Sequence, residues 1–449
     1  MDPSTFIDPA LTKPDRVVLD ALLRDIEEFR NVDSNKEQAE SPGVAGVNGR
    51  THAAAAAVKP NDATATITKT QDSIDLLDSL NNPEDAHFEP TVFQSWDIAS
   101  LNLPTLLDQW LLKPYIQWAR GAVRKETDVV MVTHLLLYFT TSVPSAAMLF
   151  YNFTWLHGVL HLMMQGYYLG TYTLMMHQHI HMRGILAARY SLFDYLFPYL
   201  LDPLMGHTWN SYYYHHVKHH HVEGNGPNDL SSTLHYQRDE VYDFLCYFGR
   251  FFLLVWFDLP RYFLRRNKIG WAVKAGGWEM LDYLTMYGLA RYVNLRATMF
   301  VLVLPFLIMR LGLMVGNWGQ HAFVDEMEPD SDYRSSITLI DVVSNRFSYN
   351  DGYHTSHHLN PTRHWRDHPS AFLAQKNIYA REHALVFRNI DYFMITLRLL
   401  RKDYAYLARC LVPIGEQRAM GLEELEAMLR RKTRRFEGED IRRGFGKGR

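Results

Sequence analysis

The sequence has only two cysteines in 449 residues, Cys246 and Cys410, and no Cys-x-x-Cys pair. Two cysteines cannot build a disulfide scaffold or a thiolate zinc site, so a bound metal would need other ligands. The net charge of −3 lacks the basic excess that nucleic-acid binding requires, and we expect no nucleic-acid partner. The first twenty residues lack the apolar segment of a secretory signal, and we do not expect them to act as one.

Histidine is abundant where cysteine is scarce: the chain has 22 histidines, and half of them fall in three short clusters. The first cluster is His177-Gln-His179-Ile-His181. His177 and His181 are four residues apart and share a helix face, whereas His179 points to the other side and ranks behind them as a ligand. The last cluster, His-x-x-His-His at 354–358, also aligns its three rings on one helix face.

The second cluster has five histidines in seven positions, which leaves its ligand set open. It contains His-x-x-His-His as His216, His219 and His220. It also contains His-x-x-x-His-His as His216, His220 and His221. Both spacings bring three imidazoles to one side of a helix, and the sequence does not choose between them. His215 ranks behind these four.

Long apolar stretches predict a membrane protein. Stretches 129–151 and 155–176 are each about long enough to cross the hydrocarbon core, and the short turn between them predicts an antiparallel hairpin. Two further crossings are expected within 242–315, of which 297–315 is clear and the other is uncertain in position. The expected fold is an all-α integral membrane protein with about four transmembrane helices.

The order of these stretches predicts that all three clusters lie on one side of the membrane. The first cluster follows the second crossing, the second cluster comes before any further crossing, and the last two crossings return the chain to the same side. Asn317 and His321 lie there as well, at the end of 297–315. The basic C-terminal tail agrees with a cytosolic position for that side.

The remaining segments are polar. Residues 1–95 are predicted to be mostly disordered, with an alanine run at 53–57 inside a linker at 43–65. Residues 96–400 are predicted to form the membrane domain, and 401–449 a basic C-terminal tail. These boundaries leave all the histidine clusters within one helical domain.

The number of imidazoles indicates two metal ions. Eight or more are available, which exceeds the four ligands of a tetrahedral zinc ion. Ligation by nitrogen alone suits iron, although imidazole also binds zinc, copper and nickel. Asn317 could reach a metal through a water molecule, and Asp351 is a candidate for orienting an imidazole N–H. Asp325 and Asp341 are further candidates for that second role.

The three clusters, in this order and around apolar spans, resemble the integral-membrane fatty acid desaturase superfamily, which also contains hydroxylases. The resemblance covers roughly residues 125 to 370 and includes Asn317-Trp-Gly-Gln-His321, which is similar to the family's extra ligand segment. No His-Pro-Gly-Gly haem motif is present, so a fused cytochrome b5 domain is not expected. The metal ligands that the resemblance implies are His177, His181, His216, His219, His220, His221, His321, His354, His357 and His358, with His179 and His215 ranked behind them.

The resemblance implies a cytosolic helical cap that holds two non-haem iron ions above the transmembrane helices. It also implies an O₂-dependent oxidoreductase of the endoplasmic reticulum membrane, with the site facing the cytosol. The substrate would be a lipid acyl chain in an apolar tunnel. An external redox partner such as cytochrome b5 or ferredoxin would supply electrons.

Several reactions remain open on this scaffold. The sequence Asn350–Pro361 around the third cluster is most similar to desaturases, and lipid hydroxylases or acetylenases are the alternatives. A metal transporter and a non-catalytic membrane scaffold are alternatives of a different class. The transporter is disfavoured because the histidines gather at span ends and not along an ion path.

Overall fold

The computed structural model describes residues 2–40 and 60–445, and it is mostly helical. The linker predicted at 43–65 lies largely outside the described residues, as does its alanine run, and so do the last four residues of the predicted tail. One short parallel pair of strands is described, in which β1 (Ile337–Ile340) aligns Ile337 with Leu385 of β2 (Leu385–Arg388). The helical class that the sequence predicts is therefore confirmed.

Ten helices precede this pair, and six follow β1. The first ten are α1 (Lys13–Glu40), α2 (Pro60–Asn81), α3 (the joined segments Thr105–Leu107, Asp108–Leu112 and Lys113–Ala122), α4 (Val129–Tyr151), α5 (Trp155–Met182), α6 (Ser191–Leu204), α7 (Tyr213–His220, continuing through His221–Glu223), α8 (Val241–Arg265), α9 (Ile269–Tyr292) and α10 (Leu295–Gln320). The others are α11 (His354–Leu359), α12 (His368–Arg381), α13 (Tyr392–Leu400), α14 (Tyr404–Cys410), α15 (Leu422–Arg431) and α16 (Gly438–Phe445). Shorter helical turns lie between them, at Ile98–Ser100, Ala188–Tyr190, Asp332–Ser335, Val343–Phe347, Trp365–Asp367 and Gly415–Ala419.

Within residues 2–40 and 60–445, two helices are long and apolar enough to cross a membrane, namely α4 and α10. The second predicted crossing is a single helix, α5, which starts four residues after α4 ends and continues past the first histidine cluster. Stretch 242–259, the other apolar stretch within 242–315, lies inside α8. The apolar cores of α4, α5 and α10 form one continuous cluster that includes Tyr138, Tyr172 and Val301.

Helix α3 presents apolar side chains to the outside of the molecule. Trp110 is 78% exposed and Leu106 is 71% exposed, although both are large apolar residues. Trp118, on the last turns of the same helix, is also about half exposed. Tryptophan and leucine on one exposed helix face fit the boundary between lipid headgroups and acyl chains.

The prediction that residues 1–95 are mostly disordered needs correction for the described part. Val18, Leu19 and Leu22 of α1 and Leu77 of α2 are buried against Phe372 of α12. These apolar positions recur every three or four residues and form one helix face, which gains free energy by packing on α12. The helices are therefore part of the folded body that contains the third histidine cluster.

The described residues 430–445 are also packed against the rest of the protein and do not form a free basic tail. The buried guanidinium of Arg238 donates to five backbone carbonyls, among them those of Lys432 and Arg434. Lys432 pairs with Asp325 and Arg434 with Glu326. These pairs neutralise part of the basic charge within the protein, so less of it is available to a lipid surface.

Arg366 anchors the N-terminal segment to the helical turn that follows the third histidine cluster. Its guanidinium donates to the side chains of Asn81 and Thr91, each at 2.8 Å, and to the carbonyl of Leu80 at 3.1 Å. We expect Arg366→Ala to loosen α1 and α2, because each hydrogen bond from a charged donor contributes about 1.5–3 kcal/mol. The measurement is limited proteolysis of the full-length protein, in which cleavage within residues 13–31 should be at least several-fold faster. Arg381→Ala is the matched control, since Arg381 is exposed, and equal cleavage in both variants would contradict the anchoring role.

Candidate metal centre

Four separate elements bring histidines to one place above the α5–α10 pair. The last turns of α5 supply the first cluster, α7 supplies the second, and α11 supplies the third. His321 comes directly after α10. Nine imidazoles gather there in two groups, and within each group the candidate ligand atoms all lie within 4.8 Å of one another. The first group is His177, His181, His216, His221 and His357, and the second is His220, His321, His354 and His358.

The first group converges through its Nε2 atoms. The Nε2 atom of His357 lies 3.0 Å from that of His177 and 2.9 Å from that of His221. The Nε2 atoms of His221 and His216 are 3.1 Å apart. The Nε2 atom of His181 is buried and has no hydrogen-bond partner among the described residues. A buried nitrogen without a partner is costly, and a bound ion would satisfy it.

The second group has the same geometry with four rings. The Nε2 atom of His354 lies 3.2 Å from that of His321 and 3.1 Å from that of His358. The ring of His220 lies 5.5 Å from that of His321 between centroids. The two groups are adjacent, since the rings of His221 and His358 are 5.1 Å apart. Two ions held here would therefore be close neighbours.

The nitrogen spacing fits metal ions better than hydrogen bonding alone. Imidazole nitrogens bind at about 2.0–2.1 Å, so ligands at right angles around one ion lie about 3.0 Å apart and tetrahedral ligands about 3.4 Å apart. The observed Nε2 distances of 2.9–3.2 Å match the right-angle geometry. Five donors in the first group also exceed a tetrahedral shell. The residues present thus fit two ions with five- or six-coordinate shells.

The second cluster divides between the two groups because α7 is wound as a π-helix over Tyr213–His220. A π-helix has more residues per turn than an α-helix, which changes the faces that successive side chains occupy. His216 and His221, five residues apart, meet in the first group, while His220 joins the second. Of the two spacings that the sequence left open, the structure gathers His216, His220 and His221.

Several predicted residues lie outside both groups. The Nε2 atom of His219 accepts a 2.8 Å hydrogen bond from the backbone N–H of Leu230. His179 pairs with Asp194 at 3.2 Å. His215 has a buried Nε2 atom without a hydrogen-bond partner in the described part of the chain, but it is not in either group. These three histidines are not placed to bind the ions that the other nine would hold.

Asn317, predicted to reach a metal through a water molecule, is held in place through its amide nitrogen. Its amide nitrogen donates to the carbonyl of Ser231 at 2.8 Å and to the hydroxyl of Tyr247 at 2.7 Å. Asp325 and Asp341 pair with Lys432 and Arg388, and so neither orients a histidine of the groups. The side chain of Asn317 thus braces the loop after the second cluster against α8 and α10.

Other groups fix the orientation of the imidazoles. The Nδ1 atom of His220 lies 2.7 Å from Asp229, and that of His321 lies 2.7 Å from the carbonyl of Ser335. Asp351, predicted for this role, lies 3.7 Å from the Nδ1 atom of His177. An N–H on Nδ1 leaves the Nε2 lone pair free for a metal. Asp229 was missed in the sequence because nothing local distinguishes it from other loop carboxylates.

Electrostatics favour neutral imidazoles and a charged carboxylate at the site. Burial lowers the pKa of His354 and His357 well below the ordinary range, and the neighbouring imidazoles lower it further. Neutral imidazole is the form that binds metals. Burial alone would raise the pKa of Asp229, but its contacts with His220 and His219 outweigh burial and hold the pKa well below the usual value.

An apolar cavity of about 620 Å³ leads to the two groups along α5 and α10. At its inner end lie His177, His216, His220 and His354, and most of its other lining is apolar. Gly166 and Gly170, one turn apart on α5, also line the cavity. A Cβ atom on either glycine would meet nothing within 4 Å. The sequence analysis missed these glycines, although their i, i+4 spacing within an apolar helix was a visible signal.

The chain was also compared with known proteins. A family model described as fatty acid desaturase matches residues 153–389, which is just over half of the chain and includes all nine grouped histidines. The chain belongs to the fatty acid desaturase family. No curated protein and no solved structure matches it. Membership identifies a desaturase-like oxidoreductase of lipid metabolism, and the resemblance that the histidine clusters indicated is confirmed.

Two substitutions in α7 distinguish the grouped histidines from their neighbour. We expect His221→Gln to lower the metal content of the purified protein by about half or more, because it removes one of the converging nitrogens. His219→Gln should leave the metal content unchanged, since glutamine keeps an acceptor for the amide of Leu230. Elemental analysis of both proteins, purified in parallel, is the measurement. Equal loss in the two variants would show that the grouping of the second cluster is wrong.

Proposed function

We propose that this protein is a membrane-bound, O₂-dependent di-iron desaturase that introduces a double bond into a fatty acyl or related lipid chain. The observation that carries the proposal is the position of two imidazole groups at the closed end of one apolar cavity. A cavity of this volume and lining suits a hydrocarbon chain. Family membership supports the same reading.

Iron is the metal that the donor set favours. All nine grouped donors are imidazoles, with no thiolate among them, and this set suits iron in an oxygen-dependent enzyme. Two irons at this site would supply the power to remove hydrogen from an unactivated methylene, using O₂ and electrons from an external donor such as cytochrome b5 or ferredoxin. Asp229 and the carbonyl of Ser335 would hold His220 and His321 in the orientation needed for binding.

The protein's own residues would bind the chain and select one methylene. Leu169, Met309 and Leu313 form apolar walls of the cavity and would exclude water from the acyl chain. Holding one C–H bond beside the metal groups lowers the entropic part of the reaction barrier, because the reacting atoms are already close and oriented. The choice of carbon would therefore follow from the distance between the metal groups and the end of the cavity.

The likeness of α4 and α10 to membrane helices supports a multi-pass protein with its site at the cytosolic surface of the endoplasmic reticulum. Gly166 and Gly170 are exposed on α5, as are Ile308 and Leu311 on α10. The cavity therefore opens sideways between these helices. An acyl chain could enter through this gap from the surrounding bilayer.

Other reactions fit the same scaffold less well. A hydroxylase or acetylenase would use the same metal site, and the sequence around the third cluster favours the desaturase. A metal transporter is disfavoured because the grouped histidines gather at the ends of helices and not along an ion path. The two imidazole groups also show the convergence of an active centre, which a passive scaffold does not need.

Metal analysis and lipid analysis test the proposal together. We expect the detergent-purified protein to contain about two irons per chain in a coupled pair, as measured by elemental analysis and Mössbauer spectroscopy. Membranes of cells that express the protein should contain a new unsaturated acyl chain. The matched control is the His357→Ala variant, which should remain in the membrane and form no product. One zinc, or no metal, in a well-folded preparation would exclude the di-iron proposal.

Blocking the cavity should abolish turnover without removing the metal. Gly170→Leu places an isobutyl group in the open space beside α5, and we expect product formation to fall at least tenfold while iron content stays unchanged. Gly249→Leu is the matched control, because a Cβ atom there also meets nothing but the residue does not line the cavity. If Gly170→Leu is as active as this control, the acyl chain does not occupy the cavity.

A further inference from the structure

A small pocket with several polar side chains in its lining opens off the wall of the acyl cavity. It encloses about 40 Å³, and its lining shares Tyr212, His215, Phe251 and Leu313 with the larger cavity. Forty cubic ångströms is enough for one or two non-hydrogen atoms of a ligand or a few water molecules. An apolar chain needs no such pocket, so the polar lining calls for an explanation.

The pocket is built around a buried ion pair. Arg310 of α10 is 7% exposed, and its guanidinium pairs with Glu279 of α9, which is 3% exposed. Thr208 adds a 2.6 Å hydrogen bond to the same carboxylate. Arg310 lies eleven residues before His321, which is about 16 Å along a helix axis. An ion pair at that depth in an apolar helix is costly, and such pairs commonly mark substrate pathways.

The pair leaves polar atoms available to the pocket. Among the described residues, the hydrogen bonds of Arg310 all come from its Nη2 atom, so Nε and Nη1 retain N–H donors. The Nε2 atom of His215 is buried and has no hydrogen-bond partner in the described structure. Glu279 cancels the charge of Arg310, which makes the pocket neutral overall. A neutral oxygen group would satisfy these atoms, whereas a carboxylate would bring an uncompensated charge into an apolar region.

We propose that this pocket binds a neutral oxygen group, a hydroxyl or carbonyl, carried on the acyl chain of the substrate. The inference rests on the proposed function and names its substrate class as an oxygenated acyl chain. His215 lines both this pocket and the larger cavity, which also reaches His216 of the first metal group, so an acyl chain in the cavity would present its oxygen to the pocket. The pocket would then fix the position of the acyl chain relative to the metal groups. Apolar walls alone allow the chain to slide, because their contacts are not directional.

The test compares stearate with a set of monohydroxystearates that differ only in the position of the hydroxyl. Binding to the full-length, detergent-purified protein is measured by displacement of a fluorescent fatty acid. We expect one position of the hydroxyl to bind about three- to tenfold more tightly than stearate, the usual gain from a buried hydrogen bond. His215→Leu should abolish this preference without changing the iron content. His157→Leu is the matched control and should keep it, since His157 lies at the opposite end of α5.

A second variant keeps the inference testable if His215→Leu fails to fold. Ser211→Val fills the pocket with methyl groups and should also remove the preference. Equal binding of all the fatty acids, or a preference that survives both variants, would overturn the inference and leave the pocket filled by water. Because binding is measured without turnover, the oxygenated-substrate proposal and the desaturase proposal can be refuted independently of each other. A preference without oxidation of either lipid would refute the desaturase, and oxidation of stearate without a preference would refute the oxygenated substrate.

Discussion

The structure depends on bringing nine imidazole rings together in a buried place while keeping them uncharged. Lone pairs on nitrogens about 3 Å apart repel one another unless a proton or a metal ion lies between them. Burial lowers the pKa of His354 and His357 and so favours their neutral form, and Asp229 and the carbonyl of Ser335 hold the other nitrogens of His220 and His321. The fold therefore supplies ligands at a cost in free energy that a bound metal would offset. Metal binding and stability of the cap are for that reason expected to be coupled.

The same requirement explains why so many different elements meet at the site. No single helix can direct more than two or three rings to one point, so α5, α7, α10 and α11 must all end or pass there. The π-helical winding of α7 lets one segment serve both metal groups. The parallel strands β1 and β2 then hold the chain between α10 and α11 against the C-terminal helices. The cavity, the metal groups and the ion pair of Arg310 and Glu279 all lie along α10 or at its end.

Local pattern was sufficient to predict the parts of the site that a single helix determines. The i, i+4 pair His177 and His181, the helical hairpin and the last histidine cluster were all visible in the sequence. The choice between His219 and His221 was not visible in the sequence, because it depends on a π-helix that no residue pattern predicts. Asp229 and the Arg310–Glu279 pair depend on contacts between distant segments, although a lone arginine in an apolar stretch was a signal. The packing of α1 and α2 was missed because their apolar faces are short and their partner lies about three hundred residues later in the chain.

That separation has a consequence for the order in which the protein can assemble. Lys376 binds Asp25, and Arg388 donates to the carbonyl of Phe6, so both partners of the N-terminal helices are synthesised long after them. During translation the apolar faces of α1 and α2 therefore remain uncovered. They can pack only when the segment after the third histidine cluster has emerged. The last ligands and the last tertiary contacts thus become available at nearly the same moment, and a nascent chain has little opportunity to capture metal in a half-built centre.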